Sequence, residues 1–488
     1  MGSRSASSRV TCEDALVTNV ASANRWRVWD CKAASALIRH AGTAAKLWLE
    51  TRTSAHPKGY PISMSGLELH TTEDASSCSE ADWRAWDDFL KASREPSIHL
   101  SSGVVCAALR SPNRAVRAAR WIDAQGRLVG IAVCEDSEAI SHGVDDFLEG
   151  TTGFRWAKNW LHREGGFRFA VRVIGTPLAS GPHGYRFAQG VDEWACLRAL
   201  LDSPGMSAGS TVAAPVPNTF VVKDRPCTQP WADGHRLAGR SQWRKGWVDL
   251  EFDPVMRVSL EGRESWDAYL AGMRTKARTK VKRIMTLSQD ISFEPLDAPA
   301  IRAQAEELHA LYLKVYGRAA FRLGCLQPED LALLKEEMGE RFQVWVARLE
   351  GQTIGFHCGM CDGCEVEAYF VGFEGGHNKS HALYQRMLVE FIQWGIQEGC
   401  ASVNLGRTAL DIKASLGAEP QRLVLHERMR NPLLHAAARW AARASAPKQE
   451  VLKRAWKEVA SPKASPQKAS NGASLHHEVV ASSASTAS

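Results

Sequence analysis

The sequence predicts a mixed α/β (α+β) fold made of two repeated units, each a mixed, mostly antiparallel sheet flanked by helices, and three observations predict it. First, residues 342–349, 353–360 and 366–373 are apolar runs separated by Glu350-Gly351 and Asp362-Gly363, both strong turn signals, so they read as consecutive strands. Second, residues 380–397 carry apolar pairs at helical spacing, namely Ala382-Leu383, Met387-Leu388 and Phe391-Ile392. Gly399 ends that helix and residues 401–405 return as a strand. Third, the pattern occurs twice. Ala119-Arg120-Trp121-Ile122, a turn through Gly126 and Leu128-Val129-Gly130-Ile131 echo Ala347-Arg348-Leu349, a turn at Gly351 and Thr353-Ile354-Gly355-Phe356. Val171-Arg172-Val173-Ile174-Gly175-Thr176-Pro177 echoes Val403-Asn404-Leu405-Gly406-Arg407-Thr408. Gly130 and Gly355 lie 225 residues apart and Gly175 and Gly406 lie 231 apart, which points to one duplicated unit.

At 488 residues the chain is long enough for several domains of ~100 to 200 residues. The order expected is a poorly ordered extension over 1–77 with a helix-like patch at 33–49, a first unit over 78–225, a second over 226–435, a helical extension over 436–460 and a tail over 461–488. Half of the tail is Ser or Ala, too little apolar surface to offset its ordering entropy. Residues 203–222, uncharged and holding Pro204, Pro215 and Pro217, suit a linker and not a membrane span. Apolar residues make up 44% and charged residues 23%, enough for a sizeable core. A net charge of +6 over 60 basic and 54 acidic side chains does not by itself call for nucleic acid or anionic lipid. Twelve cysteines without short-loop spacing, and no apolar leader, lead us to expect reduced thiols in a cytoplasmic protein. Hydrolase, nucleotide-triphosphatase and classical dinucleotide signatures (GxSxG, a P-loop, a complete GxGxxG) are missing.

The residues that carry chemistry cluster late in the chain. In 404–413 an apolar strand that carries Asn404 ends at Gly406, and Arg407, Thr408 and Lys413 follow with backbone amides freed by the turn. Amides at a helix start and a guanidinium fork both favour phosphate or carboxylate. Upstream, Leu270, Met273, Ala277, Val281 and Ile284 mark one face of a helix over 270–284, flanked by Arg274, Lys276, Arg278, Lys280, Lys282 and Arg283 without one acid. Those charges read either as a solvated face or as a rim that attracts a polyanion. Glu367 and Tyr369 share one face of the last hairpin strand, and Tyr384 opens the next helix. A glutamate there is either an outward charge or a base with a raised pKa. Cys358, Cys361, Cys364 and Cys400 have metal-like spacing, but 358 and 361 face opposite sides of a strand and 364 lies past the turn, so no metal is expected.

Taken together, Trp266-Asp267-Ala268-Tyr269-Leu270, the basic run to Arg283, Leu311-Tyr312-Leu313-Lys314-Val315-Tyr316, Gly406-Arg407-Thr408-Ala409, Ile412-Lys413 and Leu416-Gly417-Ala418 resemble the FemAB-like branch of the GNAT acyltransferase superfamily, over about residues 80–435. The resemblance implies tandem GNAT-like domains and transfer of an acyl group from an activated donor to a small-molecule or peptide-like amine. It implies Gly406, Arg407, Thr408 and Lys413 on the donor, Glu367, Tyr384 and Lys413 in catalysis, and Lys276, Arg278, Lys280, Tyr316, Tyr369 and Asn404 on the substrate. The donor implied is acyl-CoA, with acetyl-CoA the simplest, although the Gln or Arg with spaced glycines typical of acetyl-CoA users is replaced by Phe373-Glu374-Gly375-Gly376-His377. The alternatives are an aminoacyl-tRNA-dependent transferase acting on a cell-envelope precursor, and a non-catalytic module that binds an anionic ligand or RNA.

Overall fold

The computed structural model describes residues 66–141, 167–206, 217–226 and 246–432, except 94, 319 and 320, together with short pieces between 435 and 457. The extension up to residue 65 and the tail at 461–488 lie outside the described residues. Among the described residues the first element is β1 (Leu67–Thr72), inside the stretch expected to be poorly ordered; it is held because its residues pair antiparallel with the hairpin that follows. Next come α1 (Glu80–Ala92) and α2 (Ser102–Arg110). A capping box starts α1: Ser79 Oγ accepts the Asp82 N–H at 3.2 Å and the Asp82 carboxylate accepts the Ser79 N–H at 3.0 Å. Then follow β2 (Ala115–Asp123), β3 (Leu128–Ser141), β4 (Phe167–Ile174), β5 (Tyr185–Phe187), α3 (Glu193–Leu201), β6 (Thr219–Pro226) and β7 (Val248–Glu251).

The second half runs β8 (Val255–Ser259), α4 (Trp266–Gly272), α5 (Thr275–Leu287), β9 (Ser292–Pro295), α6 (Ala298–Ala303), α7 (Ala305–Tyr316), β10 (Phe321–Leu323) and α8 (Asp330–Met338). It continues through β11 (Phe342–Leu349), β12 (Gln352–Cys361), β13 (Glu365–Phe373), α9 (His377–Ser380), α10 (Leu383–Gln397), β14 (Ser402–Asn404), α11 (Leu410–Ser415), β15 (Glu419–Gln421) and β16 (Leu423–Met429).

Among the described residues the strands form two sheets. The first has the order β1-β2-β3-β4-β6-β16-β7, with β5 and β10 also pairing with β3; the second has the order β15-β8-β14-β13-β12-β11-β9. The duplication is plain in the pairing. Antiparallel β2-β3-β4 leads through α3 to β6, parallel to β4, and antiparallel β11-β12-β13 leads through α10 to β14, parallel to β13. The hairpin echo therefore aligned equivalent strands. The second echo did not: Val171 to Ile174 lie in β4, the counterpart of β13, whereas Val403 and Asn404 lie in β14, the counterpart of β6. Both strands are apolar and leave through a left-handed glycine, Gly175 at φ 106° and Gly406 at φ 71°, which makes them look alike in sequence.

Two further expectations change. Residues 219–222 belong to β6, with Phe220, Val221 and Val222 buried, so the linker stops short of them. The helix expected over 270–284 is two helices broken at Met273 and Arg274, since α4 and α5 bury the same apolar face and the periodicity runs on across the break. A strap from the end of the described chain fills that break. Arg274 N–H donates to Ala455 O at 2.8 Å, Lys457 N–H donates to Gly272 O at 3.1 Å, and Trp456 Nε1 donates to Gly417 O at 2.8 Å. Arg263 lies over the Trp456 ring at 3.9 Å. This piece of the expected helical extension is thus an extended strap, held because Gly417, at φ 93°, leaves room for the indole.

Strand pairing also crosses the expected boundary at residue 225. The β7, β10 and β16 strands, all from the second half, pair into the first sheet, with β16 lying between β6 and β7.

Candidate active site between the two sheets

The parallel pair of the second sheet is short. It runs only from Glu365 beside Ser402 to Glu367 beside Asn404, where β14 ends while β13 continues to Phe373. The pair therefore opens into a fork. Gly406 turns the chain away, donating its N–H to Asn404 Oδ1 at 2.9 Å and accepting the Met256 N–H at 3.0 Å. Val366 and Val403 point into the core beneath α10, so by strand alternation Glu365, Glu367, Ser402 and Asn404 share the opposite face.

Two carboxylates stand at that fork in different surroundings. Glu365 is held by Arg257, whose Nη2 donates to Oε2 at 2.9 Å, and by Ser402 Oγ, which donates to Oε1 at 2.7 Å. Burial, with the nearby Glu367 charge, pushes its carboxyl up to about 7 against the pull of Arg257. Glu367 is 15% exposed; Asn404 Nδ2 donates to its Oε1 at 3.2 Å, and its Oε2 lies 3.9 Å from His99 Nε2.

His99 comes from the first half of the chain, just before α2, and is buried beside His183 and Tyr369, with ring centroids 5.5 and 5.6 Å away. Around them lies a polar seam between the sheets. Arg114 makes a two-pronged contact with Glu135 at 3.1 and 2.8 Å, and Thr176 Oγ1 donates to Glu135 at 3.0 Å. Lys223 Nζ donates to the carbonyls of Thr176 and Pro177 at 3.1 Å and of Ala179, and burial pulls its ammonium down to about 8. Asp224, in the left-handed region at φ 56°, accepts from Arg407 Nη2 at 2.5 Å and from the Gly181 N–H at 3.1 Å.

The structure thus gathers Glu367, Tyr369, Asn404 and Arg407 along one seam. Arg407 and Lys413, expected to converge on a donor's anion, are instead engaged by protein groups: Arg407 by Asp224, and Lys413 Nζ by the Arg407 carbonyl. The Gly406 amide is taken by Asn404, while Thr408 is exposed and sits at φ 67°, a strained backbone for a β-branched residue. Tyr384 packs in an apolar cluster against Phe373, 5.7 Å between rings, and burial pushes its phenol up to about 12. Tyr316 Oη donates to Gly324 O at 2.8 Å. Lys276 is exposed, Arg278 and Lys280 are half-buried, and Lys280 Nζ donates to Ser415 Oγ at 2.7 Å, tying α5 to α11. Cys358 and Cys361 lie in different apolar clusters and Cys364 is exposed. The sequence offered no local signal for His99, His183, Arg114 or Glu135, whose places arise from contacts between separate elements, in the case of His99 and Glu367 across 268 residues.

The loop before α10 bears on phosphate binding. Glu374 is paired with Lys314, and the Arg318 guanidinium packs against Gly375, so the acid expected to repel phosphate is neutralised. Lys379, His377 and His381 add positive or protonatable groups, while Asn378 Oδ1 already accepts the Tyr384 N–H at 2.9 Å. The loop fits a phosphate through side-chain charge more than through freed amides.

Lys413 makes a pH prediction. Burial pulls its ammonium from the ordinary 10.5 down to about 7, opposed by Asp253. Above pH 7 the unfolded chain holds more protons there than the folded one, so this group makes stability rise with pH. In urea denaturation, wild type should gain about 1.4 kcal/mol per pH unit over Lys413→Met between about pH 7 and 9. Parallel curves for the two proteins would mean that Lys413 stays charged in the folded chain and would contradict its lowering by burial.

Residues 271–414, which hold the fork and the turn to Lys413, match the family described as acetyltransferase (GNAT) domain. Solved structures similar in arrangement include FemX, at 10% identity over 73% of this chain and 98% of that one with a TM-score of 0.41. A tandem GNAT protein from the clavulanic acid biosynthesis pathway is similar at 13% identity, over 75% of this chain and 99% of that one, with a TM-score of 0.41. The N-myristoyltransferase of Saccharomyces cerevisiae with bound myristoyl-CoA gives 8% identity over 77% and 81%, with a TM-score of 0.45. No curated protein matches the chain in sequence. β11 to β14 lie inside the segment that matches the acetyltransferase (GNAT) domain model, and their strand pairing is repeated by β2 to β6 in the first half of the chain, so the fold is a mixed α/β one built of two like units.

Proposed function

We propose that the chain is an acyltransferase that moves an acyl group from an activated thioester or ester onto an amine. The observation that carries this reading is the fork after Glu367 and Asn404, where a carboxylate stands at the opening of a parallel strand pair inside a GNAT-type domain. In the reaction the amine nitrogen bonds to the acyl carbon and the bond to the leaving sulfur or oxygen breaks. Glu367 takes the amine proton, and the leaving group gains one, for which Tyr384 is the proposed donor. Asn404 orients Glu367 through Oε1. Such aminolysis needs positioning and a base, and no covalent enzyme intermediate. A coenzyme A thioester would have its phosphates near Arg318, Lys379 and the glycines of the loop before α10. Arg407 and Lys413 then shape the site from behind, as a brace and a buried amine, unless donor binding draws them from their present partners.

A second reading is favoured by one observation. Among the described residues Lys276, Lys282 and Arg283 form no ion pair and are exposed on α5, a cationic face that suits the backbone of an aminoacyl-tRNA donor. Thermal melting separates the two. A donor at a hundred times its dissociation constant should stabilise by ~2.7 kcal/mol. Acetyl-CoA and longer acyl-CoAs should raise the melting temperature while tRNA does not; a shift with tRNA alone moves the donor to aminoacyl-tRNA, and no shift with either removes the transferase reading.

A further inference from the structure

We propose that the first unit completes the active site of the second, with His99 as the positioning residue of Glu367: its Nε2 stands beside Oε2 and receives the proton that Glu367 takes from the acceptor amine. This deepens the acyl-transfer reading and rests on it. His99 is buried, its Nε2 is 3.9 Å from Glu367 Oε2, and its Nδ1 is buried without a hydrogen-bond partner. A neutral imidazole has one N–H and one bare nitrogen. With the hydrogen on Nδ1, Nε2 presents its lone pair to the carboxylate, ready for a proton. An unpaired polar atom in a buried seam is costly to maintain, and it is the kind of exception that a working site tolerates.

The neighbours support that assignment. His183 Nε2 accepts the Thr176 N–H at 3.3 Å, and its own Nδ1 is buried without a partner, so two imidazoles 5.5 Å apart each carry an unsatisfied nitrogen. Burial and the Lys223 charge hold His183 well below the usual histidine range, so it stays neutral and leaves room for a charge on His99. The titratable groups around His99 are Glu367 and Tyr369 on β13 and His183 from the loop after β4, with Lys223 behind His183 and Arg114, Glu135 and Asp330 behind Tyr369. The step balances. As the C–N bond forms and the leaving group departs with its electron pair, the amine proton passes to Glu367 and on to His99 Nε2. It is then released to water, while the leaving group takes its proton from Tyr384, which water reprotonates.

The test uses the full chain with its donor and an amine acceptor. His99→Gln should lower kcat by about 10²-fold with KM within about twofold, and should erase the acid limb of the kcat pH profile. His99→Asn, shorter at the Nε2 end, should behave alike, and melting curves for both variants report whether the fold survives. Independently of turnover, imidazole 15N NMR should show the His99 ring shifts changing in Glu367→Gln, because the group facing Nε2 has changed. Wild-type kcat and pH profile in folded His99→Gln, or His99 ring shifts unmoved by Glu367→Gln, would overturn the proposal. Should the wild-type protein transfer no acyl group from any donor, the acyl-transfer reading fails, and ring shifts that still move then keep only the His99–Glu367 coupling.

Discussion

Glu367→Gln is expected to lower kcat/KM for acyl transfer by about 10²- to 10⁴-fold, the usual contribution of a positioned general base. The substitution keeps the size of the side chain and an oxygen for Asn404 Nδ2 to bond, so the melting temperature should change little while turnover collapses. The loss should fall on kcat, since the proton moves only as the C–N bond forms. Steady-state kinetics with a saturating donor and varied amine checks this. A variant that retains more than a tenth of wild-type kcat would move the base elsewhere, and Glu365, two residues away on the same face with a raised pKa, would become the candidate.

Asp224→Asn is expected to lower the unfolding free energy by about 3–5 kcal/mol, because it leaves the Arg407 guanidinium in the seam without its counter-charge. Asp224 is 1% exposed and Arg407 is 16% exposed, so water screens the pair poorly. Asparagine tolerates the left-handed backbone at this position, which isolates the charge from backbone strain. Adding Arg407→Met should recover most of the loss, giving a large coupling in a double-mutant cycle by chemical denaturation. A loss below about 1 kcal/mol would mean that Arg407 is not committed to Asp224 and is free to take a donor's anion.

The parts of the fold that were legible in sequence are those written locally. The turns at Gly351 and Gly363 placed β11, β12 and β13 to within a residue or two, and the apolar pairs from Leu383 to Ile392 placed α10. What was not legible depends on pairing at a distance. A strand such as β16 looks the same whichever sheet it enters, and the break between α4 and α5 is hidden because both helices bury the same face. The site divides in the same way. Glu367, Tyr369 and Asn404 were visible through strand alternation and a glycine exit. His99, 268 residues before Glu367 in the numbering, carries no mark beyond being a histidine. Arg407 and Lys413 were legible as cations at a turn, yet the partners they find in the fold, Asp224 and the Arg407 carbonyl, carry no mark of that in the sequence.

The placement of β16 between β6 and β7 has a consequence for biosynthesis. Until residue 429 leaves the ribosome, β6 keeps an unsatisfied edge, so the nascent N-terminal half cannot finish folding while its partner strand is still being made. Severing the gene between the halves should therefore yield two insoluble fragments when each is expressed alone, and soluble protein only when both are produced together.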